Sequence, residues 1–545
     1  LATSLEPQLR AQDSQPLTPA VSEHSTYRSA SRDYTVLTLL TAAISIAALV
    51  FYYQHNKILL YGDAVAHLNI ARRVFDSRTP GLFQLGTVWL PLPHLLDIPF
   101  IVNDHLWRTG LGASFPSMLA YIAGALGIFR LVQGLESRTS AWIAALIYAL
   151  NPNLIYIQAT AMTEPLYLAL FIWSVVFFSE FARQAGDLPI AARRSLERCA
   201  LMVAAATLVR YDGWFLAMVI AAASALLIWR RKLFAPPIRR GAINFLLLTA
   251  LTSALFLVYN HAAYGNAWEF ANGPYSAHAI QQRSRTPSMP SYPGENSPRT
   301  AALYFLKVAK LNLGDGRSQP LLLAIAFAAA ISAFYFSRRF LPWTLLWTPV
   351  LFYVACMAWG SIPIYLPDWW PFSYYNVRYG LQLLPAVAVF VGLAREFLTK
   401  LLPPLAVNLG VVCIVVASYA SVWQRTPVCL REAEVNGASR MEFDRQLAAE
   451  LKKLPAAATI MMDCGAHPGA VQMAGIPFRR VLRESNPPYW EIALSRPAQS
   501  ADYVIAIDGD SVALAVRLFP KGLERVATVG TPGQARAVIY RSVHQ

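Results

Sequence analysis

The side chains with the clearest chemical potential in this 545-residue chain are Asp63, His67, His94, Glu164, Arg210, Asp212 and Arg378. Asp63 and His67 lie in Tyr61-Gly62-Asp63-Ala64-Val65-Ala66-His67, four residues apart and so on one face of a helix. The helix dipole favours a carboxylate there, and a capping aspartate beside a solvated histidine is one reading. The next stretch, Gly86-Thr87-Val88-Trp89-Leu90-Pro91-Leu92-Pro93-His94-Leu95-Leu96-Asp97, is apolar, aromatic and proline-rich. It reads either as an interfacial anchor through Trp89 or as the wall of an active site. Two histidines and two aspartates, the usual acid–base groups, favour the wall.

Glu164, in Thr163-Glu164-Pro165, opens an apolar run. It is either a first-turn acid or a carboxylate facing a water-filled cavity, because an intramembrane acid is costly elsewhere. Arg210 and Asp212, in Arg210-Tyr211-Asp212-Gly213, interrupt an apolar hairpin as an ion pair or as part of that cavity. Arg378 sits among aromatics in Tyr374-Tyr375-Asn376-Val377-Arg378-Tyr379-Gly380. Its forked guanidinium suits a phosphate, and snorkelling to lipid headgroups is the alternative.

Composition sets the frame for these residues. The chain is 56% hydrophobic and only 14% charged, where a soluble chain carries about 25% charged residues. That excludes a disordered protein and points to a polytopic membrane protein. Apolar runs near 36–53, 114–133, 139–157, 163–182, 198–210, 213–229, 242–260, 319–336, 341–359, 379–394 and 404–423 have spanning character, about eleven in all. The pair at 198–229 is short enough to be two half-helices meeting at Arg210–Gly213. Residues 1–35 are polar, with no apolar core of a signal peptide, so the first span is predicted to stay as an anchor.

The net charge of +15 is mostly an orientation signal. With a cytoplasmic N-terminus, the inside loops carry Arg130 and Arg138, Arg193 and Arg194, Arg230 to Lys232, Arg338 and Arg339, then Arg395 and Lys400. Nucleic-acid binding has no support, since no basic stripe with interleaved aromatics occurs. The five cysteines form no CxxC pair and indicate neither a disulfide framework nor a zinc site. Segments 54–112, 261–318 and 360–378 then lie outside, and the long irregular 261–318 reads as a lid. Residues 61–75 are predicted to form an amphipathic helix on the membrane surface. Residues 424–545 have ordinary soluble composition. A helix near 437–454, strands at 459–463, 503–507, 523–529 and 535–541, and a helix at 511–519 predict a small α/β domain outside the membrane.

Taken in order, Gly62-Asp63 with His67 and Ala71-Arg72, Thr163-Glu164-Pro165, Arg210-Tyr211-Asp212-Gly213, Gly265-Asn266 with Glu269-Phe270, and Arg378-Tyr379-Gly380 with Leu384-Pro385 resemble the GT-C integral-membrane glycosyltransferases. The resemblance covers roughly 36–423 and is to the protein mannosyltransferase and aminoarabinose transferase group (family 39 and relatives). Asp63 is followed by Ala64, so one acid stands where that group has an adjacent pair. The resemblance implies an α-helical polytopic GT-C-like fold with the small extracytoplasmic α/β domain, in the plasma (inner) membrane. It implies a polyprenyl-phosphate sugar donor, a hexosyl or pentosyl unit, a glycan, lipid or protein acceptor, inversion, and no cofactor or divalent metal. By the same resemblance Asp63 is the catalytic base. Glu164 and Asp212 orient sugar or acceptor, His67 and His94 line the site, and Arg378, then Arg210, meet the leaving phosphate. A secondary transporter, a polysaccharide polymerase or ligase on lipid-linked glycans, and a binding scaffold remain alternatives.

Overall fold

The computed structural model describes residues 20–86, 88–285 and 290–543. Most of the expected polar tail, 1–19, lies outside them, and so does Thr87. The tail's remainder is helical: the first helix runs Ala20–Gln54, with its apolar part at Ser31–Gln54. Among the described residues nine helical segments are long and apolar enough to cross a membrane. They coincide with nine of the expected runs.

The other two runs are helical but differ in instructive ways. The run at 139–157 is split into Arg138–Ala149 and Pro152–Ile157. Asn151 caps the second piece by accepting from the Asn153 and Leu154 amides, and Pro152 takes its first position. That is a strong local restart signal, which overrides continuous hydropathy. The run at 198–210 belongs to a longer helix, Pro189–Thr207. Arg193, Arg194, Glu197 and Arg198 occupy its first half, so only a short apolar portion follows.

The C-terminal region is α/β as expected. Strands β1 (Ile460–Met462), β2 (Val481–Leu482), β3 (Tyr503–Ile507), β4 (Leu523–Val529) and β5 (Ala537–Ser542) form one sheet in the order β2-β1-β3-β5-β4. β2, β1 and β3 are parallel; β5 and β4 complete the sheet antiparallel. The two-residue β2, flanked by arginines, is too short to show alternation in the sequence.

This region does not sit apart. Its first helix, Val428–Leu451, begins well before the expected 437 and packs against the segment after the first span. A methyl group added at Gly437 would lie 2.0 Å from the Leu60 carbonyl oxygen, so only glycine permits this approach. Lys57 pairs with Glu434, and one buried apolar cluster runs from Leu60 and Val65 to Phe443, Leu447 and Ile460. The helix Gly62–Arg73 is therefore not laid on the lipid surface. Ala64, Val65, Leu68, Asn69 and Ala71 are all buried, because the C-terminal region covers the Val65 side of the helix, the face that amphipathicity assigned to the membrane. Asn69 holds this lid-like contact by donating to Gln472 Oε1 at 2.8 Å and accepting from Trp107 Nε1 at 3.0 Å.

Candidate active site

The residues that place the site stand at element ends. Asp63 is in the first turn of Gly62–Arg73, but it caps nothing: the N-cap is Tyr61, without a side-chain bond. Glu164 opens the helix Glu164–Gln184, Asp212 opens Asp212–Arg230, and Arg210 lies in the tight turn before it. Arg378 falls in the 3-10 turn Val377–Leu383. These ends converge.

Arg378 Nη2 donates to Asp63 Oδ2 at 2.6 Å, Nε to Glu164 Oε1 at 3.1 Å and Nη1 to Glu432 Oε1 at 3.4 Å. Arg210 Nη1 donates to the same Glu164 Oε1 at 3.1 Å and to Thr163 Oγ1 at 3.1 Å. Arg210 Nε lies 3.2 Å from Asp212 Oδ1, and Nη2 donates to Tyr353 Oη at 3.1 Å. Tyr353 in turn donates to Asp212 Oδ2 at 2.8 Å. The Tyr379 ring lies between the two guanidiniums, 5.2 Å from each. Two guanidiniums thus bind four carboxylates, Asp63, Glu164, Asp212 and Glu432. This cluster has no cation left over. The expected ion pair between Arg210 and Asp212 is present, and it is one edge of this larger network.

Glu432 is the member that sequence reasoning missed. It is buried in the helix Val428–Leu451, accepts from Tyr61 Oη at 2.8 Å, and also receives the Val377 and Arg378 amides at 3.3 and 3.4 Å. Nothing marks it in the sequence, because Arg431-Glu432-Ala433-Glu434 reads as an ordinary solvated helix face.

A cavity of about 1330 Å³ opens beside this network. Asp63, His67, Glu164, Arg210, Asp212 and Arg378 all line it. Tyr264, Phe270, Tyr275 and His278 from the long segment 261–318 supply one wall, and Cys464, Gly465, Glu484 and Glu491 of the C-terminal region supply another. Part of that long segment, 286–289, lies outside the described residues. His94 does not line the cavity. It is fully buried behind His67, whose Nδ1 lies 2.8 Å from His94 Nε2, and its own Nδ1 has no partner. The helix Leu92–Ile101 turns this residue inward, so its role is to fix the His67 ring.

Burial outweighs the pull of Asp63 and Glu164 and holds the His67 imidazole down at about 4. Burial, then the adjacent His67, hold His94 well below the usual histidine range. Both rings are neutral near pH 7, where the pair shares one hydrogen bond. An unfolded histidine binds a proton near pH 6.5 and the folded His67 only near 4. Acidification through that window therefore favours the unfolded chain, by about 3 kcal/mol for this ring. Comparing the pH dependence of thermal unfolding in wild type and His67→Gln isolates the effect. Asp97, whose buried carboxyl is pushed well up, acts in the opposite sense and is common to both proteins. The wild type should lose more stability than the variant between pH 6.5 and 4.

A helical body, an ionic cavity at converging helix ends and a small α/β domain over it make up a fold that this chain shares with solved membrane proteins. The solved ArnT of Cupriavidus metallidurans bound to undecaprenyl phosphate superposes with a TM-score of 0.58 at 15% identity, over 93% of this chain and 98% of that one. Its apo form gives 0.57 at 13%, over 94% and 98%. The oligosaccharyltransferase of Archaeoglobus fulgidus, in complex with zinc and sulfate, gives 0.51 at 11%, over 91% of this chain and 72% of its own. No protein-family model matches the sequence, and no curated protein matches it significantly.

Proposed function

We propose that this protein is a membrane glycosyltransferase moving a sugar from a polyprenyl-phosphate donor to an acceptor hydroxyl on the extracytoplasmic face. The observation that carries the reading is Asp63. Its side chain is 39% exposed to the cavity, against 0, 5 and 1% for Glu164, Asp212 and Glu432. It is the one carboxylate of the network that an incoming hydroxyl can reach, and Arg378 fixes its orientation.

In the step, the acceptor oxygen attacks the anomeric carbon and its proton passes to Asp63. The bond from that carbon to the phosphate oxygen breaks, and its electron pair leaves on the polyprenyl phosphate. One displacement inverts the anomeric centre. Glu164, buried and shared by Arg210 and Arg378, positions the two guanidiniums at the edge of the cavity. His67 presents a neutral ring to the same space. The solved ArnT with undecaprenyl phosphate supports a lipid-phosphate donor. The gathering of charges at helix ends, rather than midway along broken spans, disfavours a transporter. The basic loops support an inner-membrane protein with a cytoplasmic N-terminus. The acceptor is a glycan, lipid or protein of the envelope.

The test is mass spectrometry of products formed by the purified protein from a panel of polyprenyl-phosphate sugars with native envelope extract. A glycosylated product and free polyprenyl phosphate are expected. Solute counterflow with no product from any donor would overturn the reading. We further propose that no divalent metal takes part, because each carboxylate of the network is already engaged by a guanidinium and only Asp63 is open to the cavity. Exhaustive chelation should leave the transfer rate unchanged.

A further inference from the structure

If the donor is a polyprenyl-phosphate sugar, its phosphate must leave from the side of the anomeric carbon opposite the attacking hydroxyl. Arg378 is badly placed to receive it, since its Nη2 already touches the base, 2.6 Å from Asp63 Oδ2. A phosphate there would sit on the nucleophile's side, amid four carboxylates and two cations. Like charges would oppose it.

A second pair of guanidiniums lies at the other end of the same helix. Asp63 is in the first turn of Gly62–Arg73 and Arg73 is its last residue, a separation of about 15 Å along the axis. A rise of that order leaves room between the two residues for a hydroxyl, a sugar carbon and a phosphate. Arg73 lines the cavity. Its Nη2 donates only to the Gln84 main-chain oxygen at 3.3 Å, its Nε is buried with no partner, and among the described residues it forms no ion pair.

Behind it, Arg483 is fully buried on the Phe478 ring. Its Nη2 donates to Gln84 Oε1 at 3.2 Å, so Gln84 stands between the two guanidiniums. Arg483 Nε and Nη1 lack hydrogen-bond partners, with Glu484 Oε1 3.6 Å from Nη1. Glu484 also accepts the Cys464 amide at 2.9 Å. One carboxylate therefore serves two guanidiniums at this end, the reverse of the balance around Asp63. Burial and the nearby Arg483 lower the Arg73 guanidinium to about 9, with Glu484 pulling the other way.

We propose that Arg73, backed by Arg483 of the C-terminal region, is the seat of the donor's phosphate and of the polyprenyl phosphate that leaves. The proposal rests on the glycosyltransferase reading above. It gives the C-terminal region a part in the site: Arg483, Gln84 and Ser485 hold the floor on which the anion rests, through the Gln84 Nε2 bond to the Ser485 carbonyl at 3.0 Å.

The experiment measures binding of undecaprenyl phosphate, neutral undecaprenol, inorganic phosphate and phosphatidylglycerol to the full chain in nanodiscs, for wild type, Arg73→Gln and Arg73→Lys. Undecaprenyl phosphate should bind wild type, and Arg73→Gln should weaken it by about tenfold or more, with Arg73→Lys intermediate. Undecaprenol binding should not change. The empty Arg73→Gln protein should melt at or above the wild-type temperature, since a cation without an ion-pair partner is removed, whereas loss of a structural arginine would lower it. Unchanged undecaprenyl phosphate binding by Arg73→Gln would overturn the seat and leave the glycosyltransferase reading standing. Equal competition by inorganic phosphate or phosphatidylglycerol would overturn the donor assignment in favour of a general anion site. Failure of wild type to bind any polyprenyl phosphate would overturn both readings.

Discussion

Asp63→Asn is expected to lower sugar transfer by about 10²–10⁴-fold, the usual worth of a positioned general base. Asparagine keeps the size of the side chain and an oxygen that can accept from Arg378 Nη2. What it loses is the ability to take a proton from the acceptor. The fold should survive, because Arg378 keeps Glu164 and Glu432, and the lost pair is partly exposed and worth about 1 kcal/mol or less. Donor binding should also persist, since the phosphate seat is at the far end of the helix. Single-turnover transfer from a preloaded donor separates these quantities. The expected pattern is a stable protein that binds donor and does not turn it over. A variant that transfers at the wild-type rate would remove Asp63 from the mechanism.

The residues around Asp63 were legible for one physical reason. A charge at the end of an apolar span is expensive unless it has protein partners, so Glu164, Arg210, Asp212 and Arg378 each stood out against their surroundings. Their convergence on one cavity follows from shared position at helix ends. Glu432 and Arg73 were hidden because their local backgrounds are charged. Arg73 follows Arg72, which binds Asp76 and Asp104 at 3.0 and 2.6 Å as an ordinary structural arginine would. Only the fold separates the matched arginine from the unmatched one. His94 misled for a related reason: its apolar loop suggested a cavity wall, and the chain buries it instead as a support for His67. Hydropathy located the spans but overrode the Asn151-Pro152 restart, a local signal that was present in the sequence. The covering of the Val65 and Asn69 side of Gly62–Arg73 depends on contacts with residues some 400 positions away, such as Asn69 with Gln472, and periodicity within the helix carries no trace of them.

The largest expected effect on stability comes from Arg378→Met. Arg378 is buried and binds Asp63, Glu164 and Glu432 together. Methionine fills much of its volume but strands these carboxylates. Glu164 keeps Arg210, and Asp63 can reach water, so the uncompensated charge falls mainly on Glu432, which is 1% exposed. Breaking a buried pair in this way costs about 3–5 kcal/mol, mostly through the charge left behind. Glu432→Gln alone should cost only about 1 kcal/mol, because a glutamine oxygen still accepts from Tyr61 and the backbone amides. The double variant should then be more stable than Arg378→Met, since it removes the stranded acid. The coupling between the two positions should be large and opposite in sign to the single effects. Thermal and denaturant unfolding in nanodiscs, followed by tryptophan fluorescence, gives the cycle. If the two effects simply add, Glu432 does not depend on Arg378 for its charge. The C-terminal helix would then be held to the membrane body by Gly437 and its apolar neighbours alone, with no electrostatic link between that helix and the base.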